Sequence, residues 1–385
     1  MTNPGSGGAN ALWDEAIERM LARIDHTLSM NLDGFPNIGD PATGNWKTSP
    51  DGFWTGGFWV GMLWLADRYS GDARYRAAAD KWLQRLASRV ESRTVFRGLL
   101  FYPASVLGAE LTGNANAREI AIRAGRSLGR QFMNSVGIIP LGNEAEEAHS
   151  VGDHDANIDG LIASPLMLWA AKSTNDHGLY KKALSHAAKS AEFFVQADGS
   201  VIQSATFDPK TGMVSRRYTH KGISETSIWT RAQAWAMLGY TLSAKNAPEE
   251  KQLTEWARTT AAWWVKTAPA DMVAYWDFSA PITPEIWRDT SGTAIAASSL
   301  LGIASIVQGE ESVSFRRHAE KTVQALVQRH LTPVNHADLR PPGILADGCF
   351  DVRHSEALAN ELIWGDYFLF ESLGRLSGRL EDVTV

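Results

Sequence analysis

Apolar positions recur at helical spacing in twelve stretches, at about 10–30, 53–70, 72–89, 99–112, 115–133, 159–173, 177–196, 227–244, 249–266, 291–307, 311–330 and 361–377. The stretches alternate in kind. Even-numbered ones are rich in Ala, Gly, Leu and Trp nearly all round, as in TSGTAIAASSLLGIAS, whereas odd-numbered ones carry Lys, Arg and Glu, as in DARYRAAADKWLQR. Helices apolar on every side belong inside a fold, and one-sided helices belong on its surface. Turn signals separate them: YSGD at 69–72, LTGN at 111–114, STND at 173–176, KNAPEE at 245–250 and VQGEE at 307–311. A repeating helical hairpin makes a solenoid or a closed ring. Six inner and six outer helices predict an all-α fold, an (α/α)6 toroid, with almost no sheet. Residues 1–9, MTNPGSGGA, read as a disordered start, and no Pro/Gly/Ser-rich linker or charge block divides 10–385, which is expected to be a single catalytic domain.

Such a ring has a chemical consequence. All inner helices run the same way, so their N-termini share one rim. The segments entering them are DGFWTGGFW, FRGLLFYP, DHDANIDG, ISETSIWTRAQAW, IWRDTSGT and NELIWGDY, which concentrate Trp, Asp, Arg and Gly. Their convergence predicts an aromatic pocket whose helix N-termini favour an anionic ligand. The chain's 15 Trp gain meaning there, as flat platforms for sugar rings.

Composition narrows the partners. A net charge of −6 argues against nucleic acid, and no apolar run reaches the ~18 residues of a membrane span. The single Cys349 leaves no intrachain disulfide, and no basic, apolar leader pattern opens the chain. A cytoplasmic enzyme, monomer or homodimer, is expected.

Asp159 heads the apolar run IDGLIASPLMLWAA. An acid there serves either as an N-cap, worth about 1 kcal/mol, or as a catalytic acid with a pKa raised by an apolar site. Its neighbours Asp153, His154 and Asp155 lack the i, i+4 spacing of common zinc helices and read as a solvated loop, so no metal and no cofactor are expected. Asp289 either caps the helix beginning near Ser291 or holds an active-site Arg.

Taken in order, six motifs resemble family 88 of the glycoside hydrolases, the unsaturated glucuronyl hydrolases, over about residues 50–377. FWTGGFWVGMLWLA resembles the first inner helix of that family and IDGLIASPLMLWAA the stretch with its catalytic Asp. THKGISETSIWTRAQAW resembles its substrate-binding run, and YWDFSAP, RDTSGTAIAAS and ELIWGDYFLFESL its last third. The resemblance implies removal of a 4,5-unsaturated uronic acid from lyase-generated acidic oligosaccharides. Protonation at C4 of the enol ether lets water take C5, and the hemiketal then opens. It assigns Asp159 as general acid/base and His220, Trp229, Arg231, Gln233 and Trp235 to substrate binding, while Trp54 at the rim is read as a sugar platform or as core.

Two departures stand out. Where the family has a His-Asp-x-Gly-Phe-like run, this chain reads VFRGLLFYP, so Phe96 and Arg97 are taken to replace His and Asp, with Arg97 either pairing Asp159 and lowering its pKa or serving as a uronate contact. A His-Gly-Cys-Tyr-like run reads ADGCF, with Asp347 in the His place. An altered substrate or an altered mechanism follows as an expectation. The alternatives are an unsaturated rhamnogalacturonyl hydrolase-like enzyme, a two-carboxylate glycosidase, for which no partner of Asp159 is evident, and a catalytically weakened carbohydrate-binding homologue.

Overall fold

The structure is a computed structural model that describes residues 6–152, 154–335 and 337–381. Outer α1 (Ser6–Ser29) precedes inner α2 (Gly56–Ser70), and outer α3 (Ala73–Leu86) precedes a broken inner helix. That helix consists of α4 (Arg97–Phe101), a π turn (Tyr102–Val106) and α5 (Leu107–Thr112). Pro103 at the head of the π turn has no N–H to give, which accounts for the break. The ring continues with α6 (Ala115–Gln131), α7 (Ala163–Thr174), α8 (His177–Phe194), α9 (Thr230–Asn246), α10 (Lys251–Thr267), α11 (Thr290–Ala304), α12 (Gly309–Arg329) and α13 (Ile363–Ser377).

This is an (α/α)6 barrel. Every residue of α11, TSGTAIAASSLLGIA, is buried, whereas α10 buries only one stripe, including Leu253, Ala257, Ala261 and Trp264. Three outer helices, α3, α6 and α8, start on side-chain caps: Asp72, Asn114 and Asp176 each accept a backbone N–H from the first turn. The first and last helices close the ring. Arg23 on α1 pairs with Glu361 at 2.5 Å, both buried, and Arg379 reaches Asp14 at 2.8 Å.

The sequence pattern missed two small antiparallel sheets. One orders β2 (Trp46–Ser49), β1 (Phe35–Gly39) and β6 (Glu361–Leu362); the other orders β3 (Ala156–Asn157), β4 (Ser204–Phe207) and β5 (Val214–Tyr218). Strands of two to five residues are too short to display alternation. They matter because β3 feeds the turn that carries Asp159 and β5 feeds Thr219–Lys221. Helix α1 begins at Ser6, inside the stretch expected to be disordered, while residues 1–5 of that stretch lie outside the described residues.

Candidate active site

Asp159 sits in a single 3-10 turn, Ile158–Ile162, at the entry to α7. It does not cap that turn. Asn157 does, its Oδ1 accepting from the Gly160 N–H at 3.2 Å. The buried His186 ring fixes the turn from behind. The Ile139 N–H donates to its Nδ1 at 3.2 Å, so Nε2 carries the proton and donates to Gly160 O at 3.0 Å. Burial lowers the His186 pKa to about 4, which keeps the ring neutral. Gly98 makes the geometry possible, since a Cβ there would lie 2.4 Å from the Ile162 carbonyl carbon.

The Asp159 carboxyl is buried, and its Oδ1 has no hydrogen-bond partner among the described residues. Burial raises its pKa to about 7, helped by the charge of Glu147 and opposed by Lys221, Arg231 and a hydrogen bond from Gln203. Glu147 behaves in the opposite way. Burial alone would raise it, but Lys221 and His220 overcome this and hold it well below the usual carboxylate range. Its Oε1 lies 2.6 Å from Lys221 Nζ, and its Oε2 lies 3.2 Å from His220 Nε2 and accepts from Asn157 Nδ2 at 3.0 Å. One carboxyl is thus primed to hold a proton and its neighbour to hold a charge.

Asp159 and Glu147 open into a narrow cavity lined also by Trp54, Phe96, Leu99, Lys221, Trp229, Arg231, Trp235 and Phe350. Trp54 forms part of a stack, with Phe350 at 6.4 Å and an interplanar angle of 24° and Trp364 at 4.7 Å. Lys221 Nζ sits 4.3 Å over the Phe350 ring. A flat apolar wall with a cation and an acid of raised pKa beside it suits a sugar ring bearing a carboxylate.

The sequence-derived residues divide between pocket and scaffold. Trp54, Asp159, Trp229, Arg231 and Trp235 line the cavity, and His220 stands directly behind Glu147. Arg231 reaches the lining but is committed to protein: it donates to Asp289 Oδ2 at 2.7 Å and to the carbonyls of Cys349 and Phe350. Asp289 serves both of its readings, since it also accepts the Ser291 and Gly292 N–H groups at the head of α11.

Three expectations need correction. Arg97 points away from the pocket, donating to Val90 O at 2.8 Å, Thr94 O at 3.1 Å and Ser127 Oγ. Successive helical residues diverge by about 100°, so with Phe96 facing the cavity its neighbour must face α6. Aligning the expected His-Asp-x-Gly run on Gly98 puts Phe96, not Arg97, in the acid's place. Gln233 lies two residues from both Arg231 and Trp235, hence on the other side of α9, where it donates to Gly199 O and Thr260 O at 3.0 Å. Asp347 has a left-handed backbone (φ 62°) and turns outward to His330 Nδ1 at 2.7 Å. Of the neighbouring DHD loop, Asp153 lies outside the described residues, and Asp155 accepts the hydroxyls of Thr206 and Tyr218, each at 2.7 Å.

The sequence reading also missed Glu147, Lys221, Leu99 and Phe350. Lys221 adjoins His220 and was within reach of the same motif; Glu147 hides in the acidic run NEAEE, which reads as solvated.

The family model described as Glycosyl Hydrolase Family 88 matches residues 37–339. This chain belongs to that family. Its family 88 relatives include the unsaturated glucuronyl hydrolase of Bacillus sp. (strain GL1), 32% identical over 95% of this chain and 97% of the relative. The unsaturated chondroitin disaccharide hydrolase of Streptococcus pyogenes serotype M1 is 26% identical over 94% and 90%. A solved UGL structure with dGlcA-Glc-Rha-Glc superposes with a TM-score of 0.87 at 32% identity, covering 94% of this chain and 96% of the other. As a member of family 88 the chain is a glycoside hydrolase.

Proposed function

We propose that this enzyme removes a 4,5-unsaturated uronic acid from the non-reducing end of acidic oligosaccharides by hydrating the C4=C5 enol ether, with Asp159 as general acid/base. The observation that carries this is a buried Asp159 on the wall of an aromatic cavity, its Oδ1 without a partner among the described residues and its pKa raised to about 7 by burial. The names of the glucuronyl and chondroitin disaccharide hydrolases among its relatives support the substrate class.

The chemistry needs one proton donor that becomes a base. Neutral Asp159 delivers its proton to C4 while positive charge develops at C5. The carboxylate left behind takes a proton from the water that adds to C5, which returns Asp159 to its starting form. The C5 hemiketal then opens and the glycosidic bond is lost, with no attack at the anomeric carbon. Trp54 and Phe350 form the ring platform, and Lys221 meets the substrate carboxylate. Glu147 is unsuited to be a glycosidase nucleophile because Lys221, His220 and Asn157 already occupy its oxygens.

A cytoplasmic setting, with substrate imported as small saccharides, accompanies this proposal. Among the described residues no helix is long and apolar enough to cross a membrane, and Cys349 is a free, buried thiol. The test is ultraviolet loss of the C4=C5 chromophore on a panel of unsaturated disaccharides. Turnover by wild-type and its loss in Asp159→Asn, with unchanged circular dichroism, is expected. Reducing-sugar release from saturated glycosides, or binding without turnover, would overturn the proposal.

A further inference from the structure

Two features of the pocket belong together. Its wall at the entry to the second inner helix is apolar, made by Phe96 and Leu99, so α4 and the residue before it bring no carboxylate to the cavity. The second carboxylate arrives instead from the loop at 142–152. That loop is held at two of its acids. Glu144 takes the Arg93 N–H at 2.7 Å and returns its own N–H to Arg93 O at 3.0 Å, and Glu146 pairs with Arg89 at 3.2 Å. With Glu144 and Glu146 held, Glu147 at the end of the run projects inward to Lys221, His220 and Asn157.

We propose that Glu147 is the second carboxylate of this active site, a positioning residue that orients Lys221 and His220 and keeps Asp159 in its acid form. The proposal rests on Asp159 being the general acid. The charged and titratable groups facing Asp159 account for the effect. Lys221 and His220 lie on the segment after β5, Arg231 on α9, Glu147 on the loop, and neutral His186 on α8 behind the turn; Arg97 on α4 is aimed at Ser127. Without Glu147 the cations Lys221 and Arg231 would act on Asp159 unopposed and drive its proton off. Asn157 links the two acids mechanically, capping the Asp159 turn with one end of its amide and holding Glu147 with the other.

The role predicts an effect on protonation that scaffolding alone would not have. In the full chain, Glu147→Gln should move the alkaline limb of the kcat profile at least about one pH unit towards acid, costing about tenfold or more in kcat at pH 7.5. KM should change little, because the amide oxygen of the Gln variant still accepts from Lys221 and keeps it in place. Glu147→Asp, which keeps the charge, should return the limb most of the way and serves if the Gln variant folds poorly. An infrared titration of the protonated carboxyl band, identified as the band missing from Asp159→Asn, reads the same shift without turnover. An unmoved limb and band in both variants would overturn the proposal, as would a rise in KM with kcat intact. If Asp159→Asn keeps wild-type kcat, the general-acid assignment falls, and the infrared shift separately decides whether Glu147 governs the Asp159 proton.

Discussion

Arg231 makes the sharpest demand on the geometry. Its side chain is 1% exposed and faces the cavity, so a uronate-binding role and a structural role predict different outcomes for Arg231→Ala. Truncation breaks the ion pair to Asp289 and frees the carbonyls of Cys349 and Phe350. Breaking a buried pair costs about 3–5 kcal/mol. Asp289 retains the Ser291 and Gly292 N–H groups and the Ser291 hydroxyl, which places the loss nearer the lower figure. For 385 residues the unfolding entropy is about 0.8 kcal/mol/K, so ~3–4 kcal/mol lowers Tm by about 4–5 °C. Phe350 would also slacken, because its backbone is held by Arg231 and its ring forms the platform with Trp54. Calorimetry and kinetics on an unsaturated uronate and its methyl ester form the assay. A lower Tm with equal kcat/KM losses on both substrates is expected. An unchanged Tm with KM raised only for the free acid would refute this account and make Arg231 the anion contact.

Other outcomes follow from the same contacts. Arg97→Asp puts a buried carboxylate against the Val90 and Thr94 carbonyls and should cost at least ~3 kcal/mol, with KM of the folded fraction unchanged; a retuned substrate preference would return Arg97 to the pocket. Asp159→Asn should lower kcat by about 10² to 10⁴ in the chromophore assay. Because the folded Asp159 pKa is raised to about 7, its neutral form contributes stability fully present below the unfolded value near 4 and lost as pH rises through 7. The Asn variant should therefore gain Tm relative to wild-type at pH 8 and little at pH 4, and equal differences at both would show that Asp159 is not protonated. Gly98→Ala should disrupt activity and stability together, since its methyl meets the backbone at Ile162; wild-type activity would mean that the α4 entry yields easily.

Helical periodicity disclosed the ring because inner and outer helices meet such different surroundings: α11 is buried throughout and α10 along one stripe. Periodicity then failed at helix ends. Trp229 precedes α9 with an extended backbone (φ −66°, ψ 130°), so counting by helical turns does not carry it onto a face of that helix. A one-residue slip in matching the His-Asp-x-Gly run sets Arg97 in the pocket; Gly98 puts its neighbour Phe96 there. Asp159 was visible because an acid before an apolar run is chemically odd. Glu147 was not, because an acid among acids is ordinary, and only the folded loop shows that Glu144 and Glu146 are anchors while Glu147 points inward.

The junction of α1 with α13 has a consequence for how the molecule comes into being. Arg23 reaches Glu361 across nearly the whole chain, and Trp364, one wall of the aromatic stack, lies in the final helix. A growing polypeptide thus has five hairpins in hand while the platform under Trp54 is still missing a side, and catalytic competence arrives only with the last segment to emerge. Topologically, however, a circle has no preferred opening. With Asp14 and Arg379 already in contact, a short tether joining the two ends and a new cut in the exposed turn before Lys251 should give a circular permutant with the same pocket, assembled in a different order.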